Sequence, residues 1–246
     1  LERLRLLEDG KVTVICAARN GGYGFGNNLG VRYAVTHNQA THVLIANPDI
    51  SVSEGCLAWL LRVFEKCPQA AVVTARMEDQ QYGTLRNGWK LRGYGKELLS
   101  MGPVSRRLFG RFLDYPASWF QKKALYVEAV HGSMLMVDGA RFLEAGGYDE
   151  HIFLYQEEAV LGCRMKACGY KSVLRLDCSY QHAHAASISR TFASQMGRQR
   201  LREESELYYM KQYLHIHPWQ EVFARFWFWG IRMEIRVAEM MGLLAR

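Results

Sequence analysis

Residues 11–49 read KVTVICAARNGGYGFGNNLGVRYAVTHNQATHVLIANPD, and this stretch decides the fold class. KVTVICAA (11–18) is a short run of apolar and β-branched residues, the composition of a buried strand. A glycine-rich segment follows from Asn20 to Gly30, and VRYAVTHNQA then reads as a helix. HVLIANPD is a second buried strand ending in Asp49. Working outward, SEGCLAWLLRVFEKCP (53–68) is an amphipathic helix with Ser53 as its N-cap and Pro68 past its end. AAVVTARM (70–77) is a third strand. Strand, helix, strand, helix, strand predicts a parallel α/β sheet.

From about residue 77 to 126 the pattern gives way to a glycine- and arginine-rich stretch, expected as a long functional loop with short helices. LYVEAVHGSMLMVD (125–138) reads as a strand pair or a strand and turn, and ARFLEAGGYDE as a helix closed by Gly146 and Gly147. QEEAVLGCRMKACGY is a further helix ending at Gly169, and KSVLRLD a strand. From Arg190 onward the chain reads as helical, with a basic start and an aromatic finish.

Composition narrows the class. A chain of 246 residues, 49% hydrophobic, can bury one compact core, with or without a small appendage. The net charge of +7 points to anionic partners such as nucleotide phosphates or acidic lipid head groups. No nucleic-acid-binding motif accompanies that charge. The cysteines at 16, 56, 67, 163, 168 and 178 show no metal-binding spacing and read as reduced thiols of a cytosolic protein. No apolar run reaches the roughly 18–20 residues of a membrane span.

Four segments carry chemistry. The glycines after the first strand could bring backbone N–H groups to a phosphate, or simply make a tight turn. Gly22, Gly24 and Gly26 are spaced GxGxG rather than GxGxxG, so a dinucleotide-binding oxidoreductase using NAD is a weaker alternative. Asn47-Pro48-Asp49 sets a carboxylate at a strand's C-terminal end, where α/β sheets bind ligands and where an acid can hold a divalent cation. Asp149, Glu150, Glu157 and Glu158 are interleaved with aromatics, which suits a general base beside a sugar, although acids at a helix start also complement its dipole. His182 and His184 follow a strand and could complete a metal shell.

In order, NGGYGFGNNLG, ANPD, HGSMLMV, GGYDEHIFLYQEE and HAHAAS resemble family-2 glycosyltransferases of the rhamnosyltransferase and galactofuranosyltransferase type, over roughly residues 11–190. The resemblance implies the GT-A fold: a Rossmann-like α/β sandwich with a mostly parallel sheet and C-terminal helices. It divides the chain into a catalytic domain (1–190), whose first strand would precede Leu1, and a helical appendage (191–246). It implies an inverting transfer from a dTDP-, UDP- or GDP-linked sugar to a glycan or lipid-linked acceptor in cell-surface polysaccharide synthesis. On this pattern Asn20, Gly22, Asn28, Asn47 and Asp49 face the donor. Gly132, Asp149 and Glu150 face the acceptor, and Glu158 is the base with Glu157 beside it. Asp49, His182 and His184 would hold Mg²⁺ or Mn²⁺.

One departure bears on activity. The family's E-D-x-D-L is Glu157-Glu158-Ala159-Val160-Leu161 here, so the base is longer by a methylene and the second acid is absent. An inactive or weak homologue that binds nucleotide sugar is therefore an alternative. The last segment, WQEVFARFWFWGIRMEIRVAEMMGLLAR (219–246), is too charged to span a bilayer and amphipathic enough to lie on one. That predicts a cytoplasmic protein peripheral to the inner face of the membrane, with packing on the domain or a homodimer seam as the other use of the helix.

Overall fold

The computed structural model describes residues 2–79, 83–183 and 195–241. Strands β1 (His42–Ala46), β2 (Ile50–Val52), β3 (Ala70–Asp79), β4 (Gly83–Leu85), β6 (Ala124–Val127), β8 (Met134–Asp138) and β9 (Lys171–His182) form one seven-stranded sheet. Its main path runs β1-β8-β3-β9-β2, with β4 on β3 and β6 on β9. β5 (Gly88–Trp89) and β7 (Ala129–Val130) make a separate pair.

β3 lies at the centre, and Ala70 to Ala75 on it are buried on both faces. Successive residues of β8 point to opposite sides, as the pleat requires. Leu135 and Val137 join Val31, Phe142, Leu161 and Met165 in one core. Met134 and Met136 join Cys56, Leu60 and Val63 in the other. Helices α2 (Gly22–Thr36), α6 (Gly139–Glu144) and α7 (Glu157–Ala167) thus cover one face, and α3 (Glu54–Lys66) the other. Ser53 caps α3 as expected, its hydroxyl accepting from the Cys56 amide at 3.2 Å. A one-turn helix, α1 (Glu2–Arg5), precedes them.

The stretch after residue 77 contains helices α4 (Tyr94–Met101) and α5 (Pro103–Leu113). Leu98 and Met101 of α4 pack on Met210, Ala224, Phe228 and Ile231 of α8 (Gln195–Gln212) and α9 (Pro218–Met240). The opposite face of α9 is open: Trp219, Val222, Phe226, Trp229 and Val237 are exposed at helical spacing.

Two sequence expectations change. Residues 11–18 form no strand, and Val12 and Ile15 stand 43% and 39% exposed. An apolar run becomes a buried strand only with a neighbour for its N–H and C=O groups, and β1, its expected neighbour, pairs with β8 alone among the described strands. The α/β sandwich therefore holds, but its sheet is mixed rather than mostly parallel: β3–β9 is the parallel pair, and the other described pairs are antiparallel. The glycine stretch is not a turn before a helix either. It is the first half of α2, which begins at Gly22.

Candidate active site

Gly132 and Ser133, between β7 and β8, are the hub. The Gly132 amide donates to Glu158 Oε1 at 3.2 Å, and its carbonyl accepts from the Tyr23 hydroxyl. The Ser133 carbonyl accepts from the Asn47 amide at 2.8 Å, which ties the end of β1 to the same point. A side chain at 132 would press on Tyr23 and Glu158, since a Cβ there would lie 3.1 Å and 3.3 Å from them. Glycine lets the carboxylate approach the backbone.

On one side of the hub stands Asp49, with β2 and β9 behind it. The Asp49 carbonyl accepts from the Ala183 amide at 3.0 Å. Its carboxylate Oδ1 is buried, makes no hydrogen bond among the described residues, and lies 3.4 Å from His182 Nε2. His131 lies tilted against His182, with ring centres 6.0 Å apart, and shares a 3.0 Å hydrogen bond with the Ser133 hydroxyl, which also meets Tyr180 at 2.7 Å. Among the described residues no three His, Cys, Asp or Glu side chains are arranged to hold a metal ion. A hard carboxylate oxygen without a hydrogen bond, next to an imidazole, nevertheless fits Mg²⁺ or Mn²⁺ whose remaining ligands come from a diphosphate. His184 lies outside the described residues.

On the other side is the loop 146–156. Gly146 and Gly147 take φ values of 82° and 59°, closed to most side chains. Tyr155 and Gln156, at φ 72° and 65°, hold the same left-handed region without being glycine, immediately before α7. Strain of that kind persists where surroundings impose it, and here α8 does so. Ser205 donates to the Leu154 carbonyl at 2.7 Å, and Gln156 donates to the buried Glu206 carboxyl. The Tyr208 and Tyr213 hydroxyls donate to Asp149 Oδ2 at 3.1 and 2.7 Å, with Arg164 3.4 Å away. His151 donates its backbone N–H to Asp149 Oδ1 at 3.0 Å. Burial alone would raise the Asp149 pKa, yet these donors outweigh it and hold the carboxyl at about 2.

Glu157 and Glu158 fill the first turn of α7. Glu157 is buried, and burial followed by the charge of Glu158 pushes its pKa up to about 8. Glu158 lines an open cleft with Trp89, Tyr155 and several arginines. Val160, where a second acid was expected, is fully buried with Ile152, Ala159 and Tyr209. An acid there would have no solvent.

The residues assigned to the donor divide. Asn47 and Asp49 belong to the His182 side. Asn20, Gly22 and Asn28 instead serve the 148–153 loop. The Asn20 side chain accepts from the Gly22 amide at 3.2 Å, and the Tyr23 amide donates to the Phe153 carbonyl at 3.1 Å. A Cβ on Gly22 would sit 2.1 Å from that carbonyl oxygen. Asn28 clasps the Tyr148 backbone with both ends of its amide at 2.9 Å and also donates to Glu150 at 3.0 Å. The Asn28 hydrogen bond and then Arg32 lower the Glu150 pKa. The glycines pack helix against loop rather than forming a free cradle. Sequence reading missed His131, though it stood in HGSMLMV, and the α8 side chains, whose partners lie far away in sequence.

No protein-family model matches the chain. It is 28% identical over 157 residues to N-acetylglucosaminyl-diphospho-decaprenol L-rhamnosyltransferase of Mycobacterium tuberculosis, covering 63% of this chain and 50% of that protein. It is 24% identical over 139 residues to low-salt glycan biosynthesis hexosyltransferase Agl10 of Haloferax volcanii, covering 56% of this chain and 41% of that one. The chain thus spans about half the length of the curated relatives it matches. Among solved structures it resembles GalNAc-T7 with UDP, GalNAc and Mn²⁺, with a TM-score of 0.53 and 16% identity over 76% of this chain and 35% of that one.

Proposed function

We propose that this chain, a GT-A glycosyltransferase of the family-2 type, moves one sugar from a nucleotide diphosphate to a hydroxyl of a lipid-linked glycan, with inversion. The observation that carries the reading is Glu158, anchored at the Gly132 amide and facing the cleft, with the Asp49–His182 pair on the other side of the same Gly132–Ser133 turn. Glu158 takes the proton of the acceptor hydroxyl as that oxygen bonds the anomeric carbon and the bond from that carbon to the donor phosphate breaks. Glu157 already carries a proton near neutral pH, because its pKa is pushed up to about 8, which leaves Glu158 as the ionised neighbour that can take one. Asp49 and His182 would hold Mg²⁺ or Mn²⁺, which when bound neutralises the departing diphosphate. The relatives' names support a lipid-linked or glycan acceptor and the neighbour's UDP and Mn²⁺ a metal-dependent nucleotide donor.

The test is a transfer assay with UDP-, dTDP- and GDP-sugars on a polyprenyl-diphosphate-linked glycan. Glu158→Gln should lower turnover by about a thousandfold or more while nucleotide binding stays intact. Comparable rates in Glu158→Gln and wild type would assign the base elsewhere.

The same reading includes attachment to a membrane surface. The open face of α9 presents Trp219, Phe226 and Trp229 beside the exposed Arg225 and Arg236, and no described helix is long and apolar enough to cross a bilayer. Aromatics at head-group depth with arginines near lipid phosphates suit an interfacial helix. Sedimentation with liposomes should rise with anionic lipid, fall with salt, and drop in Phe226→Glu/Trp229→Glu. Equal sedimentation of that variant would detach α9 from the membrane.

A further inference from the structure

We infer that Arg198 and Arg202 of α8 receive an anionic linkage of the acceptor, a diphosphate, in the cleft beside Glu158. This rests on the acceptor-side reading of Glu158 and adds the group that is recognised. The cleft encloses about 440 Å³, enough for a sugar with its linkage, and its walls include Trp89, Tyr155, Glu158, Arg92, Arg198 and Arg202. Asn47, Asp49 and His182 do not line it, so its guanidinium groups stand apart from the acid assigned to the donor.

Arg92 pairs with Asp114 at 2.9 Å and with Glu97 at 3.8 Å. Arg202 acts on the buried acids Glu97 and Glu206, but burial raises the pKa of both, Glu206 to about 8, so Glu206 carries its proton near neutral pH. Arg198 and Arg202 lie on one face of α8, four positions apart in the sequence, so both reach the same cleft from one helix. Guanidinium forks match phosphate oxygens two at a time, and Trp89 and Tyr155 add aromatic side chains, the kind that pack on sugars, to the same wall. Both positive side chains and the base therefore line one cleft, the arrangement needed when the reacting hydroxyl sits one sugar away from a phosphate.

The probe is inorganic pyrophosphate, titrated calorimetrically without divalent cation. The wild type should bind it, Asp49→Ala should bind it equally, and Arg198→Gln/Arg202→Gln should bind it about ten- to hundredfold more weakly. In the transfer assay the double variant should raise KM for a diphosphate-linked acceptor by a similar factor, leaving KM for the donor and for a neutral alkyl glycoside acceptor unchanged. Circular dichroism melts check folding, and the single Arg198→Lys variant, which keeps the charge but not the fork, should recover part of the loss. Cation-free binding abolished by Asp49→Ala, a raised donor KM, or no pyrophosphate binding by the wild type each overturns the inference. A wild type that binds pyrophosphate in this way but transfers to no acceptor defeats the transferase reading and leaves the anion site standing.

Discussion

Asp149 and Asp49 both stand in segments expected from the sequence to carry chemistry, and their surroundings could hardly differ more. Asp149 receives hydrogen bonds from His151, Tyr208 and Tyr213, with Arg164 beside it, and its carboxyl is held at about 2. Among the described residues, Asp49 keeps a buried oxygen with no hydrogen bond, 3.4 Å from His182. A carboxylate whose oxygens are already satisfied by protein donors fixes a fold. A buried one left short of donors calls for a further partner, such as an ion or a water. Both aspartates stood in equally legible motifs, so motif membership alone could not separate scaffold from ligand site.

Replacing each aspartate with alanine sharpens the contrast. Asp149→Ala should cost about 1–3 kcal/mol of stability, because it takes the acceptor from two part-buried tyrosine hydroxyls, while Arg164 keeps the Gly146 and Gly147 carbonyls. Asp49→Ala should change stability by less than about 1 kcal/mol yet remove the metal-dependent part of nucleotide-diphosphate binding. Urea denaturation and titration of UDP with and without Mn²⁺ measure the two. Equal stability losses would break the comparison.

The glycine stretch offers a second contrast of the same kind. Gly22→Ala would drive a Cβ against the Phe153 carbonyl at 2.1 Å from a φ of 88°, and should cost about 2–3 kcal/mol. At Gly26, also within α2, a Cβ meets nothing within 4 Å. Gly26→Ala should therefore stabilise the helix by up to about 1 kcal/mol. Thermal melts of the two variants decide whether the glycines serve packing or a ligand. A Gly22→Ala protein that melts with the wild type contradicts the packing account.

The pH response has the opposite sign to that of Asp149. Burial pushes Glu157 and Glu206 up to about 8, above the ordinary carboxylate value of 4.5. Between those limits the folded protein holds protons that the unfolded chain has released, so stability falls as pH rises toward 8. The slope approaches ~1.4 kcal/mol per pH unit for each acid. Glu206→Gln should flatten the profile between about pH 5 and 8. An unchanged slope in that variant would remove Glu206 from the account.

The contrast also marks what sequence could carry. The helix at 53–68 with its Ser53 cap and the closure of α7 at Gly169 were readable because their signals are local; a strand was readable too, but it runs His42–Ala46 and stops before the turn that carries Asp49. The strand expected at 11–18 was not formed, since pairing depends on a neighbour that no local pattern supplies. Gly22 and Asn28 were legible as special but not as latches on the 148–153 loop, because their partners lie more than a hundred positions away, 120 in the case of Asn28 and Tyr148. Tyr208 and Tyr213 carried no signal at all, being ordinary aromatics on a helix until Asp149 is set opposite them.

The reach of α8 has a consequence for how the molecule comes into being. Tyr213 lies 64 positions after Asp149, and Glu206 lies 50 after Gln156. On a chain growing from its N-terminus, the strands and helices up to β9 can assemble before α8 exists. The loop before α7 cannot be locked in its left-handed form until α8 is made and docked. The site is then among the last parts of this chain to close, and a nascent protein holds its acids without yet holding their geometry.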